Sequence, residues 1–314
     1  MKKKSGKFIN VILILILILG LGLIAYPTFS DWWNSFHQTR AIAGYAEKVA
    51  NMDHKDFDRM WEEAQAYNER LLEKSNRYAL SEEEVAEYNS ILDVTGTGIM
   101  GYIDIPKIDI SLPIYHGVDQ AVLQIAIGHI EGTSFPIGGI GSHAVVSGHR
   151  GLPAAKLFTD LDRLEKGDKF IIQVLDRTLT YEVDQIRIVL PEELQDLEID
   201  PEKDYMTLVT CTPYGINSHR LLVRGHRVEN DIPNAINVTA DALQFKPYYV
   251  APIVAAPILL ILLITMLIMT SSRFRERRER SRKGAYDALE TIIEEEEDDE
   301  LIKERKRNKD TKKN

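Results

Sequence analysis

The chain holds one cysteine, Cys211, and the chemistry open to it depends on what stands beside that thiol. A free thiol ionises at a pH of about 8.5, the thiolate is the nucleophile, and a fixed cation nearby favours that form. The run from Thr207 to Gly225 reads TLVTCTPYGINSHRLLVRG. Apolar or β-branched residues alternate with small ones before the cysteine. Another apolar run follows Arg220, and the middle is rich in Pro, Gly, Asn and Ser, which predicts a hairpin with a long tip. In an antiparallel pair the residues entering and leaving such a tip lie side by side, so Cys211 and Arg220 are expected at one end of one sheet. A buried, inert thiol is the alternative, because free cysteine is among the most buried residue types.

A thiolate nucleophile needs a partner to handle protons and a donor for the developing oxyanion. Of the eight histidines, His37 and His54 lie in a helical stretch, His219 and His226 in and beyond the hairpin tip, and His116, His129, His143 and His149 in a β-rich region. His149 ends the segment HAVVSGHRG (143–151), a short buried strand followed by a glycine-flanked histidine, where a side chain can be presented at a site. The others read as satisfied surface or core histidines. A zinc site is not expected, because the cysteine has no second thiolate and no H-x-x-x-H spacing near it.

The elements that must position these groups begin at a membrane. Phe8 to Tyr26 carries no charge, and its 19 residues make a helix of roughly 28 Å, the thickness of a hydrocarbon layer. Lys2, Lys3, Lys4 and Lys7 precede it, which predicts a cytoplasmic N-terminus and an exported chain beyond Tyr26; a cleaved signal peptide is the alternative. A second apolar run, residues 248–270, ends in seven basic residues between Arg273 and Lys283 and predicts a second span with both termini inside. Exported domains usually pair their cysteines, so a solitary one either cross-links two chains or does chemistry. The net charge of −10 argues against nucleic acid as a partner.

Residues 27–99 form a helical lead-in, with Ile42, Tyr45, Val49, Phe57, Met60, Trp61, Ala64, Tyr67 and Leu71 at three- and four-residue spacing. It is expected either to pack on the exported domain or to cover its cleft. From Met100 the pattern turns to strands. The prolines between Tyr102 and Tyr115 confine that stretch to a sheet edge or to two short strands, and Ala121–Ile127 and Leu157–Leu164 read as short helical pieces. Strands follow at Lys169–Val174, Leu179–Val189, Thr207–Cys211 and Arg220–Val228, so residues 100–232 are expected to be mainly β, a barrel or sandwich. A linker (233–247) and a charged tail (271–314) complete the chain.

The hairpin at Cys211, the segment from His143 through Phe158 and the run MGYIDIPKI (100–108) together resemble a class C, pilin-polymerising sortase. The resemblance covers the exported domain. It implies a closed eight-stranded sortase β-barrel, with Cys211 as nucleophile, His149 as acid and base and Arg220 as oxyanion or substrate donor. It also implies pilin subunits with LPXTG-like sorting signals and acceptor lysines as partners, and no cofactor. Class C members commonly carry an Asp-Pro-aromatic lid, which the corresponding residues 76–82 (NRYALSE) lack. Tyr78 is the aromatic left to dock there, and Thr210 is grouped with it as a substrate-binding or lid residue. A housekeeping sortase acting on a cell-wall precursor, a papain-like protease and a non-enzymatic adhesion module are the competing readings. Papain-like order, with cysteine first and histidine far downstream, is the reverse of His149 before Cys211.

Overall fold

The computed structural model describes residues 3–230 and positions 280, 282 and 284. The expected linker and second span lie outside the described residues, as does the tail apart from those three positions. The chain divides into two compact units, residues 1–243 and 244–314, and the first holds everything that follows.

Helix α1 (Lys3–Ala50) runs unbroken through the apolar stretch and beyond it, with Pro27 inside. Its part from Ile14 onward is long and apolar enough to cross a membrane. The sequence places a boundary at Tyr26, yet one missing N–H at Pro27 interrupts only one rung of the helix ladder. Past it, Ile42, Tyr45 and Val49 are buried on one stripe against the barrel. The Tyr45 hydroxyl donates to the Met100 carbonyl (3.1 Å) and accepts from the Leu175 N–H (2.8 Å).

Helix α2 (His54–Glu73) buries Ala64, Tyr67, Asn68 and Leu71, and α3 (Glu82–Ser90) starts at a capping box between Ser81 and Glu84. Asn68 reads the backbone of Phe135 at both its N–H and its carbonyl (2.7 and 3.2 Å). The Tyr88 hydroxyl lies 2.9 Å from His129 Nδ1 and accepts from the Gly117 N–H. The lead-in is therefore packed on the barrel through buried polar bonds as well as apolar contact.

The barrel is closed in the order β1-β2-β3-β4-β7-β8-β6-β5. Its strands are β1 (Ile99–Ile105), β2 (Ile110–His116), β3 (Ile127–His129), β4 (Ser142–Ser147), β5 (Lys169–Val174), β6 (Arg177–Val189), β7 (Asp204–Thr212) and β8 (His219–Val228). The β1–β5 pair closes the ring, and β2–β3 and β4–β7 run parallel. One expectation holds in one of its two alternatives and one is corrected. The proline-bearing stretch does split into two strands, but neither is an edge: Pro106 opens the 3-10 turn that ends β1, and Pro113 lies inside β2, one residue before the β2–β3 ladder begins at Ile114. Leu157–Leu164, expected as a short helix, is a loop with only a 3-10 turn at Leu161–Arg163; left-handed backbone at Leu157 (φ 36°) breaks the helix at its first residue, and Leu157, Phe158, Leu161 and Leu164 are buried while Asp162 and Arg163 are exposed. A four-residue helix, α4 (Gln120–Leu123), stands where one or two helical turns are expected.

Candidate active site

The end of the β7–β8 hairpin is where the sequence expects chemistry. Cys211 on β7 stands opposite Arg220 on β8, and residues paired across an antiparallel ladder project to one face. Alternation decides which face. Val146, Leu208, Leu221 and Val223 fill the barrel interior, whereas Val145, Val189, Leu197, Val209 and Leu222 form a separate apolar cluster on the outward side. Cys211 shares parity with Val209, and Arg220 with Leu222, so thiol and guanidinium sit at one edge of that outward patch.

Arg220 donates to the carbonyls of Asn217 (3.3 Å) and His219 (3.1 Å) and has no carboxylate partner among the described residues. These bonds to its own turn orient the guanidinium without neutralising it. The turn is shaped by Asn217 in left-handed backbone (φ 60°), whose N–H donates to the Pro213 carbonyl (2.9 Å).

His149 arrives from β4, which lies parallel to β7 from Ser142↔Asp204 to Ser147↔Val209. Two bonds carry the register further: the Gly148 N–H donates to Val209 (3.0 Å), and the Thr210 hydroxyl donates to the Gly148 carbonyl (2.7 Å). One residue on, that register sets His149 level with Cys211. All three side chains are half-buried, and neither the thiol nor the imidazole has a hydrogen-bond partner among the described residues. Thr210 itself is buried, and its parity puts it on the side of the sheet away from Cys211.

The glycines flanking His149 are a packing requirement. A Cβ on Gly148 would come within 2.8 Å of Ile127 and Phe158; one on Gly151, which also has φ +75°, would meet the Tyr214 ring at 2.6 Å. Tyr214 in the hairpin tip therefore lies directly on the backbone that follows His149.

The chain matches the description "Sortase domain" over residues 103–228. Among solved structures it is similar to sortase C1 from Streptococcus agalactiae, at 52% identity and a TM-score of 0.59, with 61% of this chain and 100% of that one covered. The chain belongs to the sortase family. Within it, the solved neighbours place it in class C; a second, sortase C from Streptococcus pneumoniae, is 43% identical with a TM-score of 0.56, covering 62% of this chain and 99% of that one. Curated relatives include sortase D of Bacillus subtilis (31% identical) and sortase A of Streptococcus agalactiae (32%). Those matches take in 41% and 36% of this sortase and span 63% and 47% of the relatives' own length. The family is one of cysteine transpeptidases.

Three side chains of this sortase site carry no role in the sequence reading. Arg150 lies beside Thr212 (3.4 Å), pairs with Asp162 and stands over the Tyr214 ring at 6.0 Å, so it links the loop after His149 to the end of β7. Its position next to a glycine-flanked histidine is the one sequence signal for it. Arg77, buried in the lead-in, donates to the Leu197 carbonyl (3.0 Å), pairs with Glu198 (3.2 Å) and stacks on Tyr78 at 5.1 Å. Leu197 belongs to the outward patch, so this anchor brings Tyr78 to the border of that patch. His143 is on the same sheet but is fully engaged, with Nδ1 on the Glu198 carbonyl (2.8 Å) and Nε2 on the Thr207 hydroxyl (2.7 Å). Burial pushes it down to about 4, so it stays neutral at physiological pH. Among the described residues no group of three or more His, Cys, Asp or Glu is arranged to hold a metal.

Proposed function

We propose that this sortase is a membrane-anchored cysteine transpeptidase that cuts an LPXTG-like sorting signal on a pilin subunit and joins it to a lysine of the next. The observation that carries the reading is the Cys211–Arg220 cross-strand pair, with the β4 register bringing His149 level with it. The Cys211 thiolate attacks the threonine carbonyl carbon, and the Arg220 guanidinium, with no carboxylate partner among the described residues, donates to the oxyanion. As the tetrahedral species collapses, His149 gives a proton to the departing amine and leaves a thioester on Cys211. A lysine amine then attacks the thioester, His149 takes its proton, and an isopeptide bond forms as the thiolate is released. No step calls for a cofactor.

Thr210 serves this site by holding the Gly148 carbonyl and so fixing the backbone from which His149 projects. Tyr78, carried by the Arg77 anchor, flanks the outward apolar patch and is the lead-in residue assigned here as a cover. The N-terminal span, and the second apolar run, keep the barrel outside the cell and both termini inside. Confinement to the membrane raises the local concentration of tethered pilin precursors.

The test is incubation of the chain with an LPXTG-type peptide and mass spectrometry of Cys211. An acyl adduct carrying the residues up to threonine is expected. An unmodified thiol after prolonged incubation would refute the reading. Acceptor choice separates the pilin-type reaction, which consumes a lysine amine, from transfer to a wall-precursor amine.

A further inference from the structure

Two sets of contacts between helix α1 and the barrel, one on each side of the bond from the Gln38 amide to the Ile125 carbonyl (2.5 Å), give the barrel a direction. Nearest the apolar stretch, the Asp31 carboxylate accepts from the Lys156 N–H (2.8 Å) and the Asn34 amide donates to the Ala154 carbonyl (2.7 Å). Residues 154–156 belong to the loop that leaves His149 and returns to it, where the Phe158 N–H donates to the His149 carbonyl (3.1 Å). The second set is at Tyr45, which bonds Met100 at the start of β1 and Leu175 in the β5–β6 turn. Fourteen residues of helix separate Asp31 from Tyr45, about 21 Å. The barrel end that carries the active site is therefore the end closer to the span.

Between the span and the barrel the helix surface is aromatic. Phe29, Trp32, Trp33 and Phe36 are all exposed, at 60, 44, 51 and 52%, and the first three contact one another with ring centroids 5.8–6.4 Å apart. From Phe29 to Phe36 the helix rises about 10 Å, comparable to a tilted crossing of one headgroup layer. Tryptophans collect at that depth because an apolar ring and a polar N–H edge are both satisfied there, and Phe29 and Phe36 add apolar contact beside them. Asp31 and Asn34 lie inside the aromatic stretch, so the loop they hold is at the same level. On the barrel, Tyr214 (61%) and Ile216 (72%) in the hairpin tip are exposed at this end.

We propose that the catalytic end of the barrel is docked on the outer-leaflet headgroup layer, with Phe29, Trp32, Trp33, Phe36, Tyr214 and Ile216 as its contacts. The inference rests on the membrane-anchored reading above and adds an orientation to it. Cys211 then opens toward the bilayer surface, and a sorting signal reaches it where the signal's own chain emerges from the lipid.

The experiment uses the full chain in nanodiscs of phosphatidylcholine and phosphatidylglycerol. A Cys211→Ala background removes the native thiol, and nitroxide labels are attached after Ile216→Cys or, in a second sample, Glu202→Cys. Glu202 is exposed just before β7, at the opposite end of a strand of nine residues, about 30 Å long. Power saturation with oxygen and a water-soluble nickel chelate reads the depth of each label. The expected result is a label at 216 within the headgroup layer and a label at 202 in bulk water. Trp32→Ser with Trp33→Ser is expected to move the 216 label toward water. Equal aqueous access at both positions in an integrated chain, or no change on removing the two tryptophans, overturns the docking and leaves the anchor intact. Extraction of the chain by alkaline carbonate overturns the anchor and the docking together. The acyl-adduct experiment is independent of all three outcomes.

Discussion

Arg220 is held by two backbone carbonyls and faces no carboxylate among the described residues, which makes its shape as important as its charge. Arg220→Lys keeps the charge and discards the planar fork. Loss of one oxyanion donor costs about 10²- to 10³-fold in rate, so kcat should fall by that amount with KM little changed, measured on an LPXTG-type peptide. Cys211→Ala should abolish turnover in the same assay. Wild-type turnover by the lysine variant would mean that a point charge suffices. Thr210→Val tests the backbone behind His149. It removes the donor to the Gly148 carbonyl at nearly constant volume, so unfolding in urea should show a loss of about 1–3 kcal/mol. The Cys211–Arg220 pairing was legible in the sequence because a hairpin is local: the tip residues alone put the two strands in register. Arg150 was not, because its partners Asp162 and Thr212 become neighbours only through the loop that packs on β7.

At the scale of elements, the lead-in is where periodicity reported the helices but not their footing. Alternation of apolar residues identifies α2 and the buried stripe of α1, since any amphipathic helix must cover something. It cannot say that Arg77, a charged residue between two helices, turns inward to the Leu197 carbonyl and Glu198. That contact makes a prediction about access. Arg77→Ala should release residues 74–81 from the border of the outward patch and raise the rate at which a bulky maleimide alkylates Cys211, while the barrel's thermal midpoint changes little. An unchanged alkylation rate would show that the segment does not cover the thiol. Ser81→Ala, which removes the α3 cap, should cost about 1 kcal/mol in a urea titration and leave the alkylation rate of Cys211 alone.

For the molecule as a whole, two buried histidines set the response to acid. Burial pushes His129 down to about 3 and His143 down to about 4, against an ordinary value of 6.5. Both are neutral in the folded chain and take up protons on unfolding, so their contribution to stability is complete above about pH 6.5 and is lost as pH falls toward 4. The Asp104 and Asp204 carboxyls, raised chiefly by burial, act in the opposite sense. The difference between variants therefore carries the test: His143→Gln should flatten the fall of the thermal midpoint between pH 6.5 and 4 relative to the parent chain, and an identical slope would refute the assignment.

The parallel pairing of β4 with β7 has a consequence for the life of the chain before it is finished. Gly148 and Thr210 are 62 residues apart, and everything between them must emerge before the two strands can meet. During synthesis the histidine arrives first with no sulfur beside it, and the arginine follows the cysteine last of all. A contact of such long sequence separation forms late in folding. The nascent chain thus carries no assembled site, and the three groups come together only when the last strand is in place.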